Sequence, residues 1–314
     1  MKLALLFLLP LLSVPDSPPL PARQGKGRAP KAKQAPVPLG TYMVKTRLLR
    51  KPPKEGEVEG PPDIPETLRL LRQMHARGLI FEVRNRSTDW DDFRALLAAT
   101  KKTRLRIWIA LLSPTLGGNS LPYLGNYEKW AEACVALKRD YDQFEAFLIR
   151  EVAYGRNAKY LHPGRLGLLK KKLKAGGLAF LGEFYDLTKI AVELYGPCFD
   201  GVLIRYMNPR GYRNLQGLLD GARALAPRRW SIHLAIPCAP DPRLSELVEA
   251  PVPEVLFLQM QSARKHADGF VLWDLDLRRP SKIHPGAGGY SKLLITAGSY
   301  LRDLDAGRPP RLPK

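Results

Sequence analysis

The sequence predicts a single (β/α)8 TIM barrel, an α/β fold, on three observations. Eight short apolar runs rich in β-formers recur along the chain, helical segments separate them, and the runs are apolar on both faces. Strands of this kind belong to a parallel sheet covered on both sides, and eight of them close a barrel. At 314 residues and 45% hydrophobic composition the chain can bury a sizeable core. One barrel of about 250 residues uses nearly all of it, so no second domain is expected.

In chain order the strands are read at Gly40 to Lys45, Leu79 to Arg84, Leu105 to Leu112, Phe144 to Glu151, Leu178 to Phe184, Gly201 to Tyr206, Trp230 to Ile236 and Gly269 to Asp274. After the first, Pro65 and Glu66 open a helix with Leu68, Leu71 and His75 along one stripe, and Gly78 ends it. Asp89 to Ala99 follows the second strand, and Asn126 to Tyr141 supplies the long helix before the fourth. Arg165 to Ala175, Leu187 to Tyr195, Leu215 to Leu225 and Glu254 to His266 cover the remaining crossovers, and Tyr290 to Leu304 closes the chain. The barrel is therefore assigned to 39–305, with 306–314 as a C-terminal tail.

The N-terminus reads differently. Met1 and Lys2 followed by the apolar run Leu3 to Val14 have the charged start and short apolar core of a secretory signal, too short to span a bilayer as a helix. Residues 1–22 are expected to direct export, to a secreted or periplasmic location, with no membrane span left after removal. The stretch 23–38, rich in Pro, Lys and Arg with few apolar anchors, is expected to be a disordered basic tether. From 23 to 54 every charged residue is positive: Arg23, Lys26, Arg28, Lys31, Lys33, Lys45, Arg47, Arg50, Lys51 and Lys54, half of the formal net charge of +20. Such a segment can hold a protein to an acidic polymer by charge alone, or be a solvated spacer. It lacks aromatic interleaving and nucleic-acid motifs, so no nucleic-acid partner is expected.

The three cysteines constrain chemistry more than compartment. Cys134 shares a helix face with Trp130, Leu137 and Tyr141 and reads as a core residue. Cys198 precedes the sixth strand and Cys238 follows the seventh, at opposite mouths roughly 20 Å apart, beyond the reach of a disulfide. A nucleophilic Cys238 beside His233 is conceivable on one thiol and one imidazole alone.

Barrels of this type work at the C-terminal ends of their strands. The residues there are Glu82 and Arg84 on the second strand, Ser113 after the third, Arg150 and Glu151 on the fourth, and Glu183 and Tyr185 on the fifth. Arg205, Tyr206 and Asn208 end the sixth strand, His233 lies within the seventh, and Trp273 and Asp274 end the eighth. Acids, arginines and aromatics at one mouth suit a carbohydrate. Rings stack on sugar faces, Arg and Asn bind hydroxyl or carboxylate oxygens, and carboxylic acids can protonate a glycosidic oxygen. Asp274-Leu-Asp276 has no accompanying ligand cluster, and neither a metal nor a cofactor is expected. His284-Pro-Gly-Ala-Gly-Gly-Tyr290 lies where barrels often bind phosphate, and a phosphate-binding enzyme is a further alternative. His162-Pro-Gly164 reads as a turn before a helix.

Three segments carry a resemblance: Ala146-Phe-Leu-Ile-Arg150-Glu151-Val152, Leu178-Ala-Phe-Leu-Gly-Glu-Phe-Tyr185, and Tyr195-Gly-Pro-Cys-Phe-Asp-Gly-Val-Leu-Ile-Arg-Tyr-Met-Asn208. Together they resemble the middle of secreted bacterial (β/α)8 proteins of the glycoside-hydrolase-like type, and Ala267-Asp-Gly-Phe-Val-Leu-Trp-Asp274 is similar to their eighth strand. The resemblance implies a carbohydrate polymer or oligosaccharide as partner. It also implies paired acids at the end of the fourth strand, where this chain has Arg150 and Glu151, so one acid is replaced by a cation. The replacement weighs against hydrolysis and leaves sugar binding untouched.

Two classes stay open. One is a glycan-active enzyme using Glu183 and Glu151 as acid, base or nucleophile, with Tyr185, Tyr206 and Trp273 as the sugar platform. The other is a barrel without catalysis that binds a polysaccharide, including an acidic one, through the same aromatics and Arg84, Arg150 and Arg205. A third reading needs no ligand: Glu82, Glu151 and Glu183 pair with Arg84, Arg150 and Arg205 because inward charges in a barrel must be paired.

Overall fold

The computed structural model describes residues 41–56, 59–116, 120–207, 212–238, 252–275, 277 and 288–312. Eight parallel strands form a closed barrel in chain order: β1 Thr41–Lys45, β2 Gly78–Val83, β3 Arg106–Leu111, β4 Phe144–Ile149, β5 Ala179–Phe184, β6 Gly201–Arg205, β7 Ser231–Pro237 and β8 Gly269–Trp273. The ring closes between β1 and β8, with Val44 beside Leu272 and Lys45 beside Trp273. Between the strands run α1 Ile64–Gln73, α2 Asp89–Thr100, α3 Tyr127–Lys138, α4 Asn157–Tyr160, α5 Pro163–Ala175, α6 Lys189–Tyr195, α7 Leu215–Leu225 and α8 Pro253–His266, and α9 Gly288–Asp305 follows β8. Each of the eight predicted runs forms a strand. No helix among the described residues is long and apolar enough to cross a membrane.

The strands read as apolar on both faces because they pack on both. Side chains alternate across a strand. Outward-facing Phe147, Ile149, Phe180, Phe184, Val202 and Ile204 are buried against the helix layer. Inward-facing Ile80, Trp108, Leu148, Leu181, Leu203 and Val271 form a separate cluster inside the barrel. Burying each such side chain contributes about 1.5–3 kcal/mol, which is what holds the ring around its own core. One inward step further along six strands the residue type changes: Met43 gives way to Lys45, Ile80 to Glu82, Leu148 to Arg150, Leu181 to Glu183, Leu203 to Arg205 and Val271 to Trp273. The apolar interior therefore ends under a charged upper layer.

The helix starts follow from local chemistry. Asp63 accepts from the Glu66 amide at 3.2 Å, Asn126 from Lys129 at 3.1 Å and Thr188 from Ala191 at 3.1 Å, so each satisfies an amide that the first turn leaves open. His162 does the same for Gly164 at 3.1 Å, ahead of Pro163, which makes His162-Pro-Gly164 a helix cap.

Some expected boundaries move. The first helix stops at Gln73, so His75 is not on its stripe. His75 adopts a left-handed φ of 54°, and its amide and that of Ala76 bond Arg72 and Leu71 carbonyls, ending the helix. Gly78 opens β2 instead of closing α1, and a Cβ there would come within 2.7 Å of the Met43 side chain. Arg84, Leu112, Arg150, Glu151, Tyr206 and Asp274 lie just past the last ladder residue of their strands. Two of them show why pairing ends: Glu151 and Asp274 have φ of 50° and 57°, which an extended strand cannot continue.

Cys134, Cys198 and Cys238 are free and buried. His233 and Cys238 do not form a pair, because His233 points into the barrel while Cys238 belongs to the outer core. Burial also pushes the Cys238 thiol up, away from the thiolate that a nucleophile needs. The expected signal segment 1–22 and tether 23–38 lie outside the described residues, as do Asn208, Asp276 and 278–287, the last containing most of the glycine-rich stretch from His284.

Candidate functional site

The upper layer is a network of four cations and four carboxylates drawn from different strands: Lys45, Arg84, Arg150 and Arg205 with Glu82, Glu151, Glu183 and Asp274. Glu82 is its hub. It meets Lys45 at 2.9 Å and Arg84 at 2.6 Å on one oxygen, and Arg150 on the other. Arg150 bridges onward, with Nε 2.9 Å from Glu183. Arg205 Nη1 lies 3.6 Å from Glu151 and 3.7 Å from Glu183. The Tyr185 hydroxyl donates to Glu151 and accepts from Arg205 at 3.2 Å. Lys45 reaches Asp274 as well, which ties the first strand to the turn after the last.

Position in the fold explains these meetings. Glu183 is inward on β5, so Tyr185 two residues on points to the same side and its hydroxyl reaches β4 and β6 neighbours. The left-handed turn at Glu151 is held from both sides: Asn157 Nδ2 donates to the Glu151 carbonyl at 2.8 Å, and the Val152 amide donates to the Glu183 carbonyl at 3.0 Å. Asn157 Nδ2 also donates to Ser113 Oγ at 2.9 Å, which links the end of β3 to this turn. The Asp274 turn is fixed likewise, with the Leu275 amide on the Lys45 carbonyl at 3.2 Å. Non-glycine residues in this region of φ cost on the order of 1–3 kcal/mol and collect where surrounding structure over-determines them.

Electrostatics follow from burial against pairing. Burial alone would raise the Glu82 pKa, but Arg150, Lys45 and Arg84 outweigh it and hold the carboxyl well below its ordinary range. Burial opposes the charge on Arg150, yet Glu183 and Glu82 push its pKa well above the usual value. Burial, with Arg205 opposing and the Glu151 hydrogen bond adding, pushes the Tyr185 phenol up, so it stays a donor. Glu183 is 0% exposed. The arrangement is built to hold separated charges in place.

Several expected site residues take other positions. Trp273 is 1% exposed and forms a seat under cations, with Lys45 Nζ 4.8 Å, Arg150 5.1 Å and Arg205 5.9 Å from the ring. It presents no open face to a sugar. Tyr206 follows inward-facing Arg205, so it points outward and is buried in the core between barrel and helices. His233 sits low in the barrel, edge-on to Trp108 at 5.1 Å, and burial lowers its pKa to about 4. It is a neutral interior residue with no access to the mouth.

Two residues of the mouth were not among the expected set. Lys45 is the inward end of β1, and the strand-end rule selects it once it is separated from the basic run before it. Tyr154, in the loop after β4, is 60% exposed and packs on Tyr185 with centroids 5.1 Å apart. A loop residue carries no periodic signal. Among the described residues no group of three His, Cys, Asp or Glu side chains comes together to hold a metal ion.

No family model matches the chain, and no curated protein does. Among solved structures it is similar to Bacteroides uniformis β-glucuronidase 2, at 12% identity over 76% of this chain and 31% of that one, with a TM-score of 0.54. It is also similar to Ostrinia furnacalis group IV chitinase, at 9% identity over 84% of this chain and 100% of that one, TM-score 0.51. A third is Dictyoglomus thermophilum β-D-glucuronidase, at 9% identity over 84% of this chain and 50% of that one, TM-score 0.51. The chain thus spans about a third to a half of the two glucuronidases. The likeness is one of fold: a closed eight-stranded parallel barrel surrounded by helices, shared with these proteins.

Proposed function

We propose that this protein binds a polysaccharide at the C-terminal mouth of its barrel without cleaving it. The observation that carries this reading is that each described strand-end carboxylate, Glu82, Glu151, Glu183 and Asp274, is engaged by a cation. A glycosidase of the usual kind needs one carboxyl that keeps its proton and a second facing it across the scissile bond. Glu82 is driven the opposite way. Tyr154 and Tyr185 supply ring surface at the rim for stacking on a sugar. The fold shared with chitinase and glucuronidase barrels supports a carbohydrate as the class of ligand. The leader-like residues 1–22 and basic 23–38 support a secreted or periplasmic protein whose tether can rest on an acidic polymer.

Hydrolysis through Glu183 and Glu151 keeps one supporting observation, since both reach the same Arg205 nitrogen and are therefore near neighbours. One screen separates the readings. The full chain is tested against a polysaccharide panel, with retention and reducing-end release scored independently. Retention alone is the expected result. Release that disappears in Glu183→Gln establishes the enzyme instead.

A further inference from the structure

Beside the charged layer, between the C-terminal ends of β1 and β2, lies a cavity of about 230 Å³. Its walls carry five cations: Lys45, Arg47, Arg50, Arg84 and Arg86. Two carboxylates, Glu82 and Asp89, also line it. Neither is available to balance an incoming cation. Glu82 is shared among Lys45, Arg84 and Arg150. Asp89 is turned to its own loop, where it accepts from the Arg84 amide at 2.8 Å.

The cations differ in how far they are used. Arg50 is held by Asp92, and Arg86 by Glu59 at 2.9 Å. Arg47 is exposed, and its guanidinium has no ion-pair partner among the described residues. Arg84 belongs to both places, with its guanidinium on Glu82 and its side chain in the cavity wall. A ligand entering this partly enclosed space meets the Arg47 guanidinium, uncompensated among the described residues, with Arg84 beside it sharing its charge with Glu82. Guanidinium groups there suit a planar oxyanion, which they bind through paired hydrogen bonds. The volume falls below the ~300–1,000 Å³ of ordinary ligand pockets, so it suits one sugar unit and not an oligomer.

We infer that this cavity takes the carboxylate end of an acidic sugar, with Arg47 and Arg84 as the groups that bind it. The inference rests on the glycan-binding reading and names its substrate class. Tyr154 and Tyr185, which follow β4 and β5 across the ring from β1 and β2, then stack a unit further along the same chain while the β1–β2 cavity reads the charge.

The test is titration of the full-length protein with D-glucuronic acid, D-glucose and inorganic phosphate, repeated with Arg47→Ser and Arg84→Ser. Glucuronate should bind more tightly than glucose, and Arg47→Ser should weaken glucuronate roughly tenfold to hundredfold, the loss of one charge-assisted contact. Competition between phosphate and glucuronate supports the inference, since both then occupy one oxyanion site. Equal binding of glucuronate and glucose overturns it, as does glucuronate affinity unmoved in both variants or phosphate binding with no uronate binding. Tyr154→Ser keeps the two proposals distinguishable. Polysaccharide retention lost there, with glucuronate affinity unmoved by the arginine variants, sinks the cavity and spares the glycan-binding reading. Absence of any polysaccharide retention sinks that reading.

Discussion

The lower interior of the barrel, with Met43, Ile80, Leu148, Leu181, Leu203 and Val271, and the layer one inward step above it ride on the same strands. Below, the residues are interchangeable in kind: apolar, neutral, held by packing density. Above, Lys45, Glu82, Arg150, Glu183 and Arg205 are held by one another. The difference teaches how one scaffold separates its tasks. Packing tolerates a lost methyl group, whereas a buried ion network tolerates no lost partner, because whatever remains is a charge without compensation.

The largest effect should come from breaking the upper layer at its bridge. Arg150→Met leaves Glu82 and Glu183 each short of a partner, and urea unfolding should show a loss of about 3–5 kcal/mol, the scale for breaking a buried pair. A loss under about 1 kcal/mol would mean that the network is solvated in solution and that the two layers are alike.

Acid should separate the layers by pH window. His233 has its folded pKa lowered by burial from 6.5 to about 4, so below 6.5 the unfolded chain binds a proton that the folded chain refuses. Stability then falls as pH drops from 6.5 to 4, by about 3 kcal/mol from this residue alone, and levels off below. Glu82 is also depressed, so its contribution is complete above the ordinary carboxylate pKa and is lost progressively as pH falls below that value toward its lower folded one. Unfolding measured from pH 7 to 3 should show both phases, and His233→Leu should flatten the upper one while leaving the lower. Identical pH curves for wild type and variant would remove His233 from the account.

A smaller effect probes packing alone. Ile80→Val in the lower cluster should cost about 1 kcal/mol with no change in the pH profile, which chemical denaturation at two pH values checks. The smallest stability effect belongs to the rim. Arg47→Ser should change unfolding free energy by less than about 0.5 kcal/mol, since its side chain is exposed. Its effect on glucuronate affinity is then not a folding effect.

The strands were legible because runs such as Phe144 to Ile149 and Ala179 to Phe184 are apolar on both faces and bounded by helical segments. The charged mouth was legible from the strand-end rule, including Glu82, Arg150, Glu183 and Arg205. The reach of that rule is set by side-chain direction. Arg205 and Tyr206 are adjacent, so only one of them can enter the barrel, and alternation counted from Leu203 selects Arg205. Lys45 was hidden by its company, since a basic run from 23 to 54 reads as solvated surface. The cover over Trp273 was not legible at all, because it is made by β1, β4 and β6 together and no segment of sequence contains it.

The pairing of β1 with β8 joins residues 228 positions apart, and the ion pair between Lys45 and Asp274 joins residues 229 apart. Contacts of such range form late in folding, because the chain must meet its own far end before they reward it. Until Gly269–Trp273 has been synthesised and docked, β1 and β7 are open edges, ready to pair with any other chain in the same state. The ring that leaves the eight barrel strands without an exposed edge is thus also what makes the assembly intermediates sticky. Slowing the arrival of the last strand, or shortening the chain before it, should show itself as aggregation during expression well before it shows as any loss of stability in the folded product.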